Sequence, residues 1–344
     1  MHARQGRSPA LPRRRFLGGL AGLAGACWLP QAAAQAGAVH RQSRVLMGTR
    51  VDVVVQGPHP ERAAQAALAQ MAQLEAMMSR YRGDSVVSAL NRAAGRGAVR
   101  VPPELMQVLK AARQRAMDTD GHFDVTVGSL QAWDFRPGAR GMPDAAVLRA
   151  QRALVGIEAL ELDASAGTAR LRRAGVQIDL GGIAKLPILK SGLEVLRQEG
   201  AEGALVNGGG DVLVHGLVGD RPWRVGLRDP RRPDTLLGHV ELSHQGVVAA
   251  SGDYERFRLH QGRRLHHILD PRTGQPTHGV RGVVLVGERP EAVNGLGVAM
   301  MVGGPDWARA WALRHRGIEV LLVEAGGAVW MSDGLARRGT VNAA

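Results

Sequence analysis

Two glycine-rich segments carry residue types that could bind a phosphate. The first reads VQIDLGGIAK, an apolar, β-rich run that ends in Asp179 and is followed by a glycine pair and Lys185. The second reads ALVNGGGDVLVHG, in which three glycines precede Asp211. Glycines between a strand and a helix let backbone N–H groups approach a phosphate, and a helix N-terminus favours an anion. The segments therefore predict a phosphate-ligand site, although neither matches a dinucleotide-binding or P-loop motif.

Three further segments are polar where a packed core would be apolar: GHFDVTVG (121–128), SGDYER (251–256) and HHILDPRTG (266–274). Each alone is typical of a loop, because Asp, Pro and Gly favour turns. Together they supply a histidine pair and several carboxylates, the groups that acid–base chemistry beside a phosphate requires. They lack the paired Cys/His spacing of zinc sites, and no GxSxG motif surrounds Ser251.

The net charge of +13 would suit a nucleic-acid partner, but the composition excludes this class. Of the 44 Lys and Arg residues only three are lysines, and the arginines are scattered along the 344-residue chain. With two Tyr and four Phe there is no interleaving of aromatic and basic residues to stack bases. An arginine-rich coding bias accounts for the charge, and we expect no nucleic-acid partner.

Residues 1–36 have the pattern of an export signal. A basic start without acids leads into an apolar stretch that is too short to span a bilayer, and Ala34-Gln35-Ala36 offers a small-residue cleavage site before Gly37. The pair Arg13-Arg14 before an apolar run favours the twin-arginine route and a location in the periplasm or cell envelope.

The only cysteine, Cys27, lies inside this predicted signal and loosely resembles a lipoprotein acylation site. A lipid anchor at Cys27 is therefore the second choice. The mature chain is expected to contain no disulfide and no membrane span.

The mature chain mixes strands and helices without strict βαβ alternation, which predicts an α+β fold in one large domain, residues 40–333, followed by a tail at 334–344. Residues 45–55 are predicted as a first strand, and helices are expected from Pro60 and Pro103. Residues 160–171 read as a hairpin. Later strands are expected at 223–227, 240–242, 247–250, 283–286 and 320–323, with helices near 291–301 and 307–314.

Seven short motifs together resemble one family, the ApbE-type FAD:protein FMN transferases, which are exported enzymes of the bacterial cell envelope. The resemblance covers residues 40 to 333, and the order of the motifs makes it specific. The motifs are Met47–Thr49, Ser79–Asn91, Gly121–Leu130, Asp179–Lys185, Asn207–Asp211, Ser251–Arg256 and His267–Gly274.

The resemblance implies a T-fold-related domain that cleaves FAD at its pyrophosphate. FMN would be attached through a phosphoester to a threonine of an exported flavoprotein, and AMP would be released. His267, which would help to activate the incoming threonine, and Asp253 are the candidate catalytic residues. The positions implied to contact FAD are Met47, Tyr81, His122, Phe123, Asp124, Asp179, Lys185 and Ile268.

The family also implies Mg²⁺, held by a backbone carbonyl at Gly182 and by an Asp and a Thr that correspond to Asn294 and Val298. Mg²⁺ prefers charged or strongly polar oxygen ligands. Asn294 offers one neutral carbonyl oxygen and Val298 offers none. The departures continue after Lys185, where Leu186-Pro187 replaces the usual Gly-Tyr and Lys190 replaces an Asp.

Two interpretations follow from these departures. In the first, the protein is a working flavin transferase. In the second, it is a catalytically degenerate relative that binds FAD or FMN as an accessory or maturation factor for envelope redox enzymes. A sugar- or peptide-binding envelope protein would explain the export signal, but not the ordered motifs.

Overall fold

The computed structural model describes residues 39–135 and 141–341, which belong to one compact unit. The predicted export signal and Cys27 lie outside the described residues. Sixteen strands are described: β1 (His40–Leu46), β2 (Thr49–Gln56), β3 (Val99–Arg100), β4 (Leu160–Asp163), β5 (Thr168–Leu171), β6 (Gly203–Gly208), β7 (Asp211–Gly216), β8 (Trp223–Asp229), β9 (Arg232–Leu242), β10 (His244–Gly252), β11 (Phe257–His260), β12 (Arg263–His266), β13 (Val280–Gly287), β14 (Glu319–Glu324), β15 (Val329–Met331) and β16 (Gly339–Val341).

Eight α-helices accompany the strands in the described part of the chain, with short 3₁₀ helices at Val125–Ser129 and Ile157–Ala159. None of these helices is long and apolar enough to cross a membrane. The helices are α1 (Pro60–Met78), α2 (Val86–Arg92), α3 (Pro103–Asp118), α4 (Ala145–Arg152), α5 (Lys185–Gln198), α6 (Pro290–Val293), α7 (Leu296–Arg314) and α8 (Asp333–Arg338).

An antiparallel sheet of eight strands forms the centre of the fold, in the order β1-β2-β6-β7-β10-β13-β14-β15. Its strands are apolar at successive positions, so that alternate side chains enter two different cores. In β13, Val283 and Leu285 pack with the helices, whereas Val284 and Val286 pack toward β8, β9 and Leu335. Burial on both faces explains why these strands lack polar alternation. The predicted α+β class is confirmed.

The expected helices from Pro60 and Pro103, the hairpin at residues 160–171 and the later strands are confirmed. The predicted first strand is wrong, because it is two strands that form a hairpin. The turn between β1 and β2 contains Met47 and Gly48, both with positive φ (53° and 69°). The residues on both sides of this turn are largely apolar, so the sequence pattern did not reveal the turn.

The two glycine-rich segments were predicted to lie between a strand and a helix, and neither does so. The run that ends in Asp179 forms no strand, and only the first segment leads into a helix, α5. The three glycines before Asp211 instead end β6 and form its turn into β7. At Gly209, φ is 64° and a Cβ would lie 2.5 Å from Thr49 Oγ1, so this tight turn requires glycine.

The late helical region is also interrupted where one helix was predicted. Asn294 ends α6, and Gly295 has a left-handed φ of 74° before α7 begins. A second break lies inside α7, at Gly304. The helix expected at 291–301 is therefore divided between α6 and the first part of α7, and the helix expected at 307–314 lies in the second part of α7. Residues 334–341, expected as a tail, form most of α8 and all of β16, which pairs with β9.

Candidate functional site

The turn from Asp179 to Lys185 has the predicted segment 79–91 beside it. The Asn91 side chain accepts a hydrogen bond from the Ile178 N–H (2.8 Å) and donates one to the Ile178 carbonyl (3.1 Å). Asp179 pairs with Arg80 at 3.2 Å, and its second oxygen accepts the Gly181 N–H at 2.8 Å. Side chains from distant sequence positions therefore hold the turn, and no ladder of strand hydrogen bonds is needed.

Lys185 is the first residue of α5, and its ammonium lies 2.8 Å from Asp211 Oδ2. Asp211 is buried, and its other oxygen accepts the Ala250 N–H at 2.8 Å. The ion pair thus joins the start of α5 to β7 and β10. The Lys185 side chain keeps 30% of its surface exposed, so it remains accessible to an anionic ligand at the helix N-terminus.

Met47 is close to the segments that carry the candidate catalytic residues. Its N–H donates to Oε1 of Glu75, a residue of α1, at 2.7 Å. A Cβ on Gly48 would lie 3.1 Å from Arg256 Nη2. The Arg256 carbonyl in turn accepts the His267 N–H at 3.1 Å. The structure therefore brings Met47, Arg256 and His267 together.

His267 is an exposed residue, although its surroundings are densely packed. Desolvation by these surroundings, followed by the charges of His266 and Arg256, lowers its pKa to about 4. Asp179 is among the charges that act on it in the opposite direction. The imidazole is consequently neutral at pH 7 and can accept a hydrogen bond from a hydroxyl group.

Asp253 is buried and ion-paired. Its Oδ1 lies 2.8 Å from Arg264 Nη1, and its Oδ2 lies 3.6 Å from Arg281 Nη1. A threonine hydroxyl would have to compete with these two guanidinium groups for the carboxylate. Its predicted catalytic role stays a prediction, and the observed contacts are those of a residue that positions Arg264.

Three consecutive residues of the predicted pocket have different environments. The His122 ring stacks on Trp307 with centroids 4.7 Å apart, and its Nε2 lies 3.2 Å from Arg272 Nη1. Phe123 is buried, with Cε2 3.2 Å from the position that a Cβ on Gly182 would take. Asp124 caps the following 3₁₀ helix, and burial raises its pKa. Of the three, Phe123 packs directly on the glycine turn.

Tyr81 and Ile268 lie at opposite extremes of exposure. Tyr81 is 78% exposed, and its ring lies 5.8 Å from the guanidinium carbon of Arg80. Ile268 is buried, and its carbonyl accepts the Thr277 N–H at 3.0 Å. Tyr81 is thus available to a ligand, whereas Ile268 supports the segment that carries His267.

The three positions implied for Mg²⁺ are adjacent, but the side chains of Asn294 and Val298 do not supply the ligand atoms that the ion prefers. The Asn294 amide nitrogen donates to the Ile183 carbonyl at 2.9 Å, and Val298 Cγ2 lies 3.4 Å from the Cβ position of Gly182. Neither side chain supplies the charged oxygen that Mg²⁺ prefers. Within residues 39–135 and 141–341, no group of three or more His, Cys, Asp or Glu side chains could hold a metal ion.

Sequence reasoning did not identify the arginines that surround these residues. Arg80, Arg256 and Arg272 contact Asp179, the Met47–Gly48 turn and His122, respectively. Their positions next to or within the polar motifs were a usable signal. It was hidden by the many arginines elsewhere in the chain.

A cavity of about 700 Å³ lies in a different part of the domain, where the β4–β5 hairpin faces α3. It is lined by Met117 and Leu160 and by charged residues such as Arg113, and it contains none of the predicted site residues. Arg172 and Glu161 at its wall pair with each other at 2.6 Å. The candidate site is therefore identified by the polar motifs that meet there, and not by the size of a cavity.

Comparison with known proteins gives consistent results. A sequence model of the ApbE family matches residues 47–327. A protein from Klebsiella pneumoniae (strain 342) named FAD:protein FMN transferase is 35% identical over 240 residues, covering 69% of this chain and 74% of the relative. One of the same name from Treponema pallidum (strain Nichols) is 30% identical over 321 residues, covering 87% of this chain and 88% of the relative.

Solved structures show the same likeness. The crystal structure of the ApbE protein from Thermotoga maritima aligns with a TM-score of 0.81 at 32% identity, over 88% of this chain and all of that chain. The apo form of the flavinyl transferase ApbE from Pseudomonas stutzeri aligns with a TM-score of 0.78 at 29% identity, over 90% and 98% of the two chains.

Proposed function

This chain belongs to the ApbE family, and we propose that it is an FAD:protein FMN transferase. The observation that carries the proposal is the convergence of the family's motifs around one glycine turn. Lys185, Asp179 and Phe123 lie on or against this turn, and the charge of Asp179 also acts on His267. Basic groups around a phosphate ligand are what transfer at a pyrophosphate requires.

The reaction joins a threonine hydroxyl of an exported flavoprotein to the FMN half of FAD. The threonine oxygen forms a bond to the FMN phosphorus, and the bond from that phosphorus to the bridging oxygen breaks. AMP leaves with the bridging oxygen, and the threonine proton is released. His267, neutral at pH 7, accepts the hydrogen bond of the incoming hydroxyl, while Lys185 contacts the phosphate charge.

Weighing the acceptor tests this proposal. Mature protein is incubated with FAD and a purified acceptor that carries the target threonine, and we expect the acceptor to gain the mass of FMN less one water while AMP appears in equal amount. His267→Ala should slow the gain, and Arg337→Ala, an exposed change on α8, serves as the control. An acceptor of unchanged mass, with FAD still bound to the enzyme, would contradict the transferase function.

That outcome would favour a second function, supported by the substitutions at Asn294 and Val298. A relative that binds FAD or FMN without transferring it would serve as an accessory or maturation factor for envelope redox enzymes. The amide of Asn294 donates to the Ile183 carbonyl and does not fit a ligand of Mg²⁺. Retention of FAD without AMP release identifies this second function.

We also propose export by the twin-arginine route, with the mature chain in the periplasm or cell envelope. The support is the pattern of residues 1–36, which lie outside the described part of the structure. N-terminal sequencing of exported protein should begin near Gly37. A mature chain that starts at an acylated Cys27 would show a lipid anchor instead.

A further inference from the structure

The surroundings of Asn294 link three elements at the candidate site. Asn294 ends α6, and only 7% of the residue is exposed. Its side-chain amide nitrogen donates to the carbonyl oxygen of Ile183 at 2.9 Å. Ile183 lies in the glycine turn, two residues before Lys185. One side-chain hydrogen bond therefore ties the turn to the junction between α6 and α7.

The chemistry of the acceptor fixes how the Asn294 amide is turned. A carbonyl oxygen can only accept, so the NH₂ group of Asn294 must face Ile183. With the amide reversed, two oxygen atoms would face each other at hydrogen-bond distance and repel. The side chain thus offers the turn a donor, the opposite of what a cation at this place would need.

Val298 strengthens the same contact by packing. Its methyl carbon Cγ2 lies 3.4 Å from the Cβ position of Gly182, and the side chain packs against the main core. A methyl group here presents an apolar surface to the turn and has no electron pair to give to a metal. The glycine turn therefore meets one amide donor and one apolar surface.

Two basic side chains complete the network around α6. Arg115, at the end of α3, donates from Nε to the Asn294 carbonyl at 2.8 Å, and from Nη2 to the carbonyls of Glu291 and Ala292 at 3.1 and 2.9 Å. Lys190 on α5 lies 2.6 Å from Glu291 Oε1. Arg115 therefore satisfies the carbonyls of Glu291 and Ala292 near the end of α6, and Lys190 forms an ion pair with this helix.

We propose that Asn294 is a positioning residue whose hydrogen bond to Ile183 does the structural work of a divalent cation, so that this protein holds its glycine turn and binds FAD without metal. The inference rests on the proposed function for the identity of the ligand. Its structural part, the metal-independent turn, stands on the contacts alone. Asn294 acts through Ile183 on Lys185, and it touches no reacting atom.

Thermal unfolding tests the structural part. Protein stripped with EDTA and checked for metal content is melted in EDTA and in millimolar MgCl₂, and we expect the same Tm in both. Asn294→Ala should lower Tm equally in both solutions, since it removes the donor and adds no ligand. Asn294→Asp combined with Val298→Thr should lower Tm in EDTA, because a carboxylate then faces the Ile183 carbonyl, and should regain stability with MgCl₂.

FAD titrations under the same conditions test the ligand part. We expect MgCl₂ to leave the Kd for FAD of the unaltered protein unchanged, and Asn294→Ala to raise it in both solutions. A rise in Tm or a tenfold fall in Kd on adding MgCl₂ to the unaltered protein would overturn the proposal, as would an Asn294→Ala variant with unaltered Tm. If FAD does not bind under either condition, the proposed function fails while the Tm comparison still decides on the network.

Discussion

The ammonium group of Lys185 is held against the buried carboxylate of Asp211, yet part of the side chain stays exposed. A cation fixed in this way loses little conformational entropy when a phosphate arrives. The ion pair also orients it before binding, because Asp211 is anchored to the Ala250 N–H. At the scale of one residue, the ammonium group of Lys185 is therefore oriented before any ligand binds.

Replacing Lys185 by Ala should weaken FAD binding by about 1.5–3 kcal/mol, the range for a hydrogen bond to a charged group. Titration of FAD against the variant measures the effect. Lys110→Ala, at an exposed position of α3, is the matched control, and Lys185→Arg retains the charge beside Asp211. If Lys185→Ala titrates as the unaltered protein does, the lysine is not at the phosphate.

His267 predicts a pH dependence of stability. Its folded pKa of about 4 lies below its ordinary value of 6.5, so between these values the unfolded chain binds a proton that the folded one does not. The free energy of unfolding should therefore fall as pH drops from 6.5 toward 4, and this contribution should be constant above 6.5. Urea titrations across this range, with His267→Gln beside the unaltered protein, measure it.

The free energy of unfolding of the His267→Gln variant should fall less steeply as the pH drops. Some of the fall remains, because burial also lowers the pKa of His266. Identical slopes for the two proteins would mean that His267 titrates normally in the fold.

At the scale of elements, tight turns decide where the polar segments meet. The Gly208–Gly210 segment ends β6, brings Asp211 to the start of β7, and passes within contact of Thr49 on β2. The turn at Met47 and Gly48 does the same for the β1–β2 hairpin and Arg256. The first turn therefore brings Asp211 to Lys185 at the start of α5, and the second brings the β1–β2 hairpin to Arg256.

Gly209→Ala should destabilise the protein by more than the strain of a left-handed residue, which is about 1–2 kcal/mol. Its Cβ would lie 2.5 Å from Thr49 Oγ1, so overpacking should add about 1–3 kcal/mol. Gly219→Ala is the matched control, since its φ is 59° and its Cβ would meet nothing within 4 Å. Urea unfolding of the two variants gives the difference, and equal losses would contradict the predicted clash.

Across the whole molecule, the eight-stranded sheet separates two cores, and the C-terminal segment completes the second one. Leu335 on α8 is fully buried and packs in the cluster that contains Leu321 and Val323 of β14. The strand β16 then pairs with β9. The end of the chain therefore contributes to the stability of the sheet that carries the site.

Leu335→Ala should lower the free energy of unfolding by about 2–5 kcal/mol, because it leaves a cavity in this core. Leu313→Ala, at a leucine that is 73% exposed at the end of α7, should have little effect. Chemical denaturation followed by circular dichroism measures both. A negligible loss for Leu335→Ala would indicate that the C-terminal segment is dispensable for folding.

The α+β class, the helices that begin at Pro60 and Pro103 and the strands at 247–250, 283–286 and 320–323 could be predicted from the sequence, since apolar periodicity and turn residues are local signals. The sequence also determined the family, because seven motifs keep their order. It did not reveal the hairpin turn at Met47, where both flanking runs are apolar, or the break at Asn294-Gly295, since one asparagine and one glycine are tolerated in many helices.

Which polar groups meet depends on the three-dimensional fold. The pairing of Lys185 with Asp211, of Asp179 with Arg80 and of Asn294 with the Ile183 carbonyl joins residues that are 26 to 111 positions apart. Such contacts depend on the order of strands in the sheet and leave no periodic trace in the sequence. The sequence could identify Asn294 as a substituted ligand position, and the fold showed that its amide is a hydrogen-bond donor to the glycine turn.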